Sequence, residues 1–196
     1  MKTTKKGFTL IELIVVIAII GVLAAILVPT MLGYVKKSKL SSANTSASSI
    51  YKAINSALTE LDEEGIDIGG TYILTYNATS NTWSDATDEM KNEVDGKFKT
   101  KVSNFFADIT KVKNGVRAAV VNGSCAAVAS ASDSTYTGTY PSGIITSDNY
   151  DDYSNKLNDA LQLAICAAAG TGKDDDGNLK APTEGAYKEA YEAAAK

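Results

Sequence analysis

The apolar positions of this chain begin as one long block. Residues 8–32 form an almost uninterrupted apolar run in which Glu12 is the only charged residue. At about 1.5 Å per residue, a helix of this length crosses a hydrocarbon core of roughly 30 Å. The block therefore predicts a membrane-spanning helix, in which Gly21 lowers the helix preference and Pro29 weakens or kinks the helix.

From about residue 40 the continuous block gives way to a stripe. Apolar residues recur there at three- and four-residue spacing, with Ser, Asn, Thr and Lys between them. The stripe consists of Leu40, Ala43, Ala47, Ile50, Ile54, Ala57 and Leu61. We therefore expect one helix from Phe8 to about residues 60–64, ending before Gly65, half in lipid and half in water, with the stripe packed on the rest of the protein.

Beyond Gly69-Gly70 the pattern favours short strands and further helices. Period-two alternation predicts a strand at residues 71–77, and two Asn-Gly turns bracket VRAAVV, which predicts a β-hairpin with the following SCAAVAS. Helices are predicted over residues 84–109 with Ser84 or Asp85 as cap, over 153–169, and in the tail EGAYKEAYEAAAK. The predicted apolar face of the first of these helices consists of Met90, Val94, Phe98, Val102, Phe105 and Phe106. The tail ends in EAAAK, which also matches a helical linker repeat. Residues 130–149 are predicted as a loop with one short strand.

The predicted fold class is therefore α+β. A long N-terminal helix packs on a small antiparallel β-sheet with accessory helices. A length of 196 residues allows one globular domain and an anchor, but not two large domains.

Composition narrows the classes of function. The chain has 19 Lys and Arg, 23 Asp and Glu, and no His. Without His, the commonest general base and the usual zinc ligand are missing. We therefore expect no enzymatic activity, no metal and no cofactor, and the acidic balance argues against a general attraction for nucleic acid.

The apolar block differs from a secretory signal peptide, although both follow a positively charged N-terminus. Lys2, Lys5 and Lys6 precede the block, but a signal peptide has an apolar stretch of only about 7–15 residues and a small-residue cleavage site. This block is longer, no such site follows it, and Glu12 interrupts its start. A carboxylate there is costly and marks a function that involves a partner. The lysines favour residues 1–7 in the cytoplasm and the body outside.

The string KKG followed by FTLIELIVVIAIIGVLAAILVP resembles the N-terminus of a type IV pilin precursor. The resemblance depends on Gly7 at the end of a short basic leader, Phe8 directly after it, Glu12 at the fifth position after the glycine, and Gly21 and Pro29 further on. It covers about the first 35 residues. It implies that a prepilin peptidase cuts between Gly7 and Phe8 and N-methylates Phe8. It also implies that the helix loosens between Gly21 and Pro29 in a filament.

The resemblance also implies an organisation and a function. Residues 1–7 are then the leader, 8–32 the membrane and filament-core half of the helix, and 33–196 the exported pilin domain. The expected function is that of the major subunit of a type IV pilus, a homopolymer assembled at the cell surface by inner-membrane machinery from a single-pass precursor in the cytoplasmic membrane. Glu12 is expected to pair with the α-amine of Phe8 of a neighbouring subunit.

Two other functions stay open. A pseudopilin of a type II secretion or DNA-uptake system shares the same N-terminus. A membrane-tethered exported binding module is an alternative of another class.

The two cysteines, Cys125 and Cys166, lie in Ala- and Val-rich surroundings. An exported domain permits a disulfide between them, which contributes roughly 4 kcal/mol by chain closure. The other interpretation is two free, buried thiols that act as small hydrophobes.

Two charged segments invite binding hypotheses. The first is a basic stretch, which suggests a nucleic-acid patch, but the acidic residues among it favour the mixed-sign face of a solvated helix. Its members are Lys91, Lys97, Lys99, Lys101, Lys111, Lys113 and Arg117. The second is the acidic turn at residues 174–178, which suggests calcium, but its spacing does not fit an EF-hand and favours a solvated turn.

Overall fold

The computed structural model describes residues 7–85, 94–131 and 133–196 of the chain. The chain divides into two compact units, of which the first ends at Ser38 and the second is Lys39–Lys196. In the first unit, every described residue is exposed. In the second unit, helices and a β-sheet enclose two apolar clusters.

Helix α1 (Leu10–Glu63) confirms the predicted N-terminal helix. It contains one segment that is long and apolar enough to cross a membrane, and Pro29 lies inside the helix. All seven residues of the predicted stripe are buried, together with Ala53 and Leu58. The three- and four-residue spacing therefore marks the face of α1 that packs on the sheet.

The sheet has five antiparallel strands in the order β2-β1-β3-β4-β5 within the described residues. The strands are β1 (Thr71–Asn77), β2 (Thr82–Asp85), β3 (Val116–Val121), β4 (Ser124–Ala131) and β5 (Thr137–Tyr140). β1 and the β3–β4 hairpin confirm the prediction, and β5 is the short strand expected between residues 130 and 149. The fold class is α+β, as predicted.

The central strand β3 shows how the sheet separates the two clusters. Val116, Ala118 and Val120 belong to the cluster that contains most of the α1 stripe. Ala119 and Val121 belong to the cluster formed with α3 (Leu157–Ala169) and α4 (Gly185–Ala194). Because successive side chains of a strand point to opposite faces, the sheet is covered by α1 on one face and by α3 and α4 on the other.

The prediction of one helix over residues 84–109 is wrong in its first part. Ser84 and Asp85, the expected caps, belong to β2, and Met90 lies outside the described residues. The strand pairs with β1 in an antiparallel hairpin in which Trp83 lies opposite Tyr76. The ring of Trp83 contacts those of Tyr76 and Phe98, at 5.2 and 5.3 Å between ring centroids. Phe98 lies outside this hairpin, fifteen residues further along the chain than Trp83.

The second part of that segment is helical but broken. A π-helical turn (Val94–Phe98) leads into α2 (Lys99–Phe105), and a 3-10 turn (Ala107–Lys111) follows. Of the predicted apolar face, Val94, Phe98 and Val102 are buried, whereas Phe105 is exposed.

The helix predicted over residues 153–169 begins four residues later than expected. Residues Tyr150–Tyr153 form a 3-10 turn instead, and α3 then runs from Leu157 to Ala169. Gly170 ends α3 in the left-handed conformation, with φ of 65°, which a glycine adopts without steric cost.

Candidate functional site

Thr9 and Glu12 form a hydrogen-bonded box at the start of α1. The backbone N–H of Thr9 donates to Glu12 Oε2 at 2.8 Å, and the Thr9 hydroxyl donates to the same oxygen at 2.7 Å. In return, the backbone N–H of Glu12 donates to Thr9 Oγ1 at 3.3 Å. Because α1 begins at Leu10, Thr9 occupies the N-cap position and Glu12 the third helical position. This arrangement is a capping box, which satisfies backbone donors that the first helical turn leaves without partners.

Glu12 is thus a helix cap as well as the predicted contact between subunits, and the capping role was not predicted. The signal was nevertheless present in the sequence, since Thr-x-x-Glu directly before an apolar run is the usual capping-box pattern. The box uses one carboxylate oxygen, Oε2. Among the described residues, no hydrogen bond to Oε1 of Glu12 is found, so this oxygen is available for a donor from another molecule.

Gly7 and Phe8 precede the helix and are accessible. Neither belongs to α1, and the side chain of Phe8 is 86% exposed. A Cβ atom added to Gly7 meets no described atom within 4 Å. The predicted cleavage junction therefore lies outside helix α1, in chain that no described residue covers.

Gly21 and Pro29 lie in the exposed part of α1. A Cβ atom at Gly21 also meets nothing within 4 Å, so no packing contact in the described residues requires a glycine there. Next to Pro29, the hydroxyl of Thr30 donates to the carbonyl of Leu27 at 2.9 Å. The predicted loosening between Gly21 and Pro29 concerns a filament and stays a prediction.

The first 28 residues after Gly7 present a long apolar surface. In the described residues, every exposed large hydrophobic side chain except Phe105 lies between Phe8 and Val35. Soluble monomers rarely expose contiguous apolar patches of more than a few hundred Å². This segment therefore needs an apolar environment, which lipid or other copies of the same helix can supply, and Glu12 is the one charge within it.

The two cysteines are free thiols, which corrects the disulfide alternative. Cys125 lies on β4 in the cluster beneath α1, whereas Cys166 lies on α3, which packs on the opposite face of the sheet. A disulfide requires Cα atoms within about 7 Å, and here the sheet stands between the two side chains. Burial raises the pKa of both thiols, so both are protonated and unreactive.

The basic stretch does not form a basic patch in the described residues. Lys101 Nζ lies 2.9 Å from Glu60 Oε2 and 2.7 Å from Glu64 Oε1, and Lys97 Nζ lies 3.4 Å from Glu64 Oε2. Lys111 pairs with Asp108 at 2.8 Å. These ion pairs agree with the mixed-sign interpretation.

Arg117 does not fit the mixed-sign interpretation, and Lys91 is not among the described residues. Arg117 lies on β3 and is only 8% exposed, so its assignment to a solvated helix is corrected. Lys91 lies outside the described residues.

The acidic segment near the C-terminus is a hydrogen-bonded turn. Asp174 Oδ1 accepts the backbone N–H groups of Asp176 at 3.1 Å and of Asn178 at 2.7 Å. A carboxylate oxygen that is occupied in this way orders the turn. No group of three or more His, Cys, Asp or Glu residues suited to a metal ion occurs in the part of the chain that is described.

Comparison with known proteins supports the N-terminal motif. Residues 2–28 match the family described as the prokaryotic N-terminal methylation motif. The matched segment includes the Gly7–Phe8 junction and the Thr9–Glu12 box.

Relatives with known names extend the similarity beyond the motif. The type IV major fimbrial protein FimA of Dichelobacter nodosus is 38% identical over 89 residues, which are 44% of this chain and 57% of that protein. The type IV major pilin protein PilE of Neisseria gonorrhoeae is 33% identical over 124 residues, 63% of this chain and 60% of that protein. The type IV major pilin protein PilA of Myxococcus xanthus is 47% identical over 57 residues, 29% of this chain and 26% of that protein.

Each of these matches spans less than two thirds of the relative's own length. No solved structure matches this chain.

Proposed function

We propose that this chain, whose N-terminal segment is that of a type IV pilin, is the major structural subunit of a type IV pilus. A prepilin peptidase cuts it after Gly7 and N-methylates Phe8. The mature subunits then leave the cytoplasmic membrane and polymerise through the apolar part of α1 into a helical filament at the cell surface.

The observation that carries this proposal is the exposed apolar segment with its single carboxylate. A surface of this size has to be covered, and in a filament the same segment of neighbouring copies covers it. Subunits that meet head-to-tail through different surfaces form open helical polymers rather than closed rings. The apolar segment is long enough to span the membrane before assembly, and the same segment forms the filament core after assembly.

Glu12 sets the position of one subunit against the next. Cleavage creates an α-amine at Phe8, which carries a positive charge over most of the neutral pH range. An unpaired carboxylate among apolar helices costs several kcal/mol, so packing that brings Glu12 to the Phe8 amine of a neighbour is favoured over other registers. The free Oε1 oxygen of Glu12 accepts that amine while Oε2 stays in the capping box.

The test of the proposal is the intact mass and the N-terminal sequence of the protein isolated from its own cells. We expect the chain to start at Phe8 and to carry one additional methyl group. A chain that starts at Met1, or that is cut beyond Pro29, contradicts the proposal.

A second measurement separates a pilin from the alternatives. Mechanical shearing releases long surface filaments, so a major pilin is abundant in the sheared fraction. A pseudopilin is nearly absent from that fraction but is still cleaved after Gly7. A membrane-tethered binding module keeps residues 1–7 and stays in the membrane fraction.

A further inference from the structure

Arg117 is a buried cation in the middle of the sheet. Its side chain leaves β3 on the face covered by α3 and α4, and the residue is 8% exposed. Nη1 donates to the carbonyl of Ala194 in the last turn of α4 at 2.8 Å, and it also donates to Oδ1 of Asn158 in the first turn of α3. The guanidinium therefore joins the two helices to the sheet through one nitrogen.

The charge of Arg117 has no counter-ion among the described residues. No carboxylate there forms an ion pair with it, and its Nε is buried without an acceptor. Burial also lowers the pKa of the guanidinium from its ordinary value, with no opposing contribution from a nearby anion. A buried charge with neither a counter-ion nor a full set of hydrogen bonds is costly, so proteins normally supply an anion for it.

A pocket of about 420 Å³ opens beside Arg117. Lys113 provides a second positive charge at its edge and has no ion-pair partner among the described residues. The remaining polar lining is neutral and includes the amides of Asn77, Asn114 and Asn158. No Asp or Glu lines this pocket, so its electrostatic potential favours an anion.

We infer that this pocket binds a small molecule through a carboxylate group, which acts as the counter-ion of Arg117. A planar guanidinium and a carboxylate match in geometry and form strong charge-assisted hydrogen bonds. Nη1 is already occupied, whereas Nε has no acceptor and no hydrogen bond of Nη2 is found in the described residues, so these two nitrogens are left for the ligand. Lys113 adds a flexible point charge at the entrance, and the Asn amides can donate to the second oxygen. The inference goes beyond the filament function and does not depend on it.

The experiment uses the full-length protein in a non-ionic detergent. Sodium acetate is exchanged for sodium chloride at constant ionic strength, while the ¹⁵N-resolved signal of the buried Arg117 Nε–H and the thermal midpoint Tm are followed. We expect a saturable shift of this signal and a rise in Tm that saturates at the same acetate concentration, because a ligand that binds only the native state stabilises it by mass action. Sodium phosphate serves as the second arm.

Variants decide whether the effect arises in the pocket. Lys113 is exposed, so Lys113→Gln is expected to fold normally and to weaken acetate binding about fivefold, the effect of removing one close charge. Lys180→Gln, an exposed lysine outside the pocket, is the matched control and is expected to bind as the wild type does. Arg117→Gln is expected to abolish saturation if it folds, and if it does not fold, the comparison of the two lysine variants decides.

Three results overturn the inference. The first is that acetate and chloride have the same effect on the Arg117 signal and on Tm. The second is that the Lys113 and Lys180 variants bind acetate equally well. The third is that phosphate saturates the Arg117 signal at a lower concentration than acetate does. The last of these assigns the pocket to a different class of anion.

Discussion

The side-chain amide of Asn55 in α1 forms two hydrogen bonds with the backbone of Cys125 in β4. Its Oδ1 accepts the N–H of Cys125 at 3.0 Å, and its Nδ2 donates to the carbonyl of Cys125 at 3.4 Å. β5 pairs with residues 128–131 of β4, so no strand of the described residues covers the outer edge of β4 at Cys125. One amide therefore takes the place of a neighbouring strand.

The same relationship recurs three helical turns earlier. Asn44 lies eleven residues before Asn55 on the same face of α1, and its Oδ1 accepts the N–H of Thr139 in the edge strand β5 at 2.9 Å. α1 thus closes the open edge of the sheet with hydrogen bonds as well as with apolar contacts, which protects that edge from pairing with another chain.

We expect Asn55→Ala to lower the free energy of unfolding by about 1–3 kcal/mol, because it leaves the buried backbone groups of Cys125 without partners. Urea unfolding of the full-length protein in detergent measures this, with fluorescence of Trp83, the only tryptophan, as the probe. Asn104→Ala, at an exposed position of α2, is the matched control and is expected to change stability by no more than about 0.5 kcal/mol. Equal losses in both variants contradict the role of Asn55.

Gly138→Ala tests how closely β5 approaches α1. A Cβ atom at Gly138 would lie 2.1 Å from the backbone carbon and oxygen of Ala43 and 2.6 Å from the backbone nitrogen of Asn44. Backbone atoms cannot move aside as a side chain can, so we expect a loss of about 3 kcal/mol or more, measured by the same urea unfolding. Gly96→Ala is the control, since its Cβ meets nothing within 4 Å. A fully stable Gly138→Ala protein contradicts this packing.

The ion pair between Lys101 and Glu64 should make the stability of the protein depend on pH in the acid range. The hydrogen bond from Lys101 holds the pKa of the Glu64 carboxyl below the ordinary value of 4.5. A carboxyl whose pKa is lowered on folding contributes stability above its unfolded pKa and loses it as the pH falls through the folded pKa. We therefore expect Lys101→Met to flatten the decrease of Tm below about pH 4.5, the ordinary Glu value.

The control for this prediction is Lys111→Met. Within the described ranges, Lys111 pairs only with Asp108 in its own exposed turn, at 2.8 Å, so its loss should leave the pH profile unchanged. An identical acid profile for Lys101→Met and the wild type contradicts the prediction.

The sequence predicted those parts of the fold that depend on local periodicity. The α1 stripe, β1 and the β3–β4 hairpin follow from spacing and from turns such as Asn122-Gly123, whose φ angles of 51° and 79° suit a tight hairpin. β2 was not predicted in this way, because a strand of four residues is too short to show an alternation of its own and is recognised only by its pairing with β1. Arg117 also looks like a surface residue in the sequence, since its partners come from the ends of α3 and α4.

In the candidate site, the sequence predicted the residues of the N-terminal motif but not the hydrogen bonds between them. Gly7, Phe8 and Glu12 could be named from the sequence because the motif is local and specific, and residues 2–28 match a known family. The capping box is equally local, since Thr9 and Glu12 stand three residues apart directly before the apolar run, but only the charge of Glu12 was used for the prediction. Thr9 supplies the nearest partner within the same chain.

Two substitutions separate the two roles of Glu12. Glu12→Gln keeps an oxygen that can close the capping box with Thr9, since Gln also serves at this position, but it removes the charge. Thr9→Val removes the hydroxyl and thus two of the three hydrogen bonds of the box, but it keeps the charge. If Glu12 acts by pairing with the Phe8 amine of a neighbour, Glu12→Gln should reduce filaments in the sheared surface fraction at least tenfold, because a tenfold change corresponds to only about 1.4 kcal/mol per contact. Thr9→Val should still assemble, with the helix start weakened by about 1 kcal/mol.

Equal amounts of both proteins in the membrane fraction serve as the control for folding and insertion. Full assembly of Glu12→Gln together with loss of assembly in Thr9→Val would show that the cap, and not the charge, is what the filament requires.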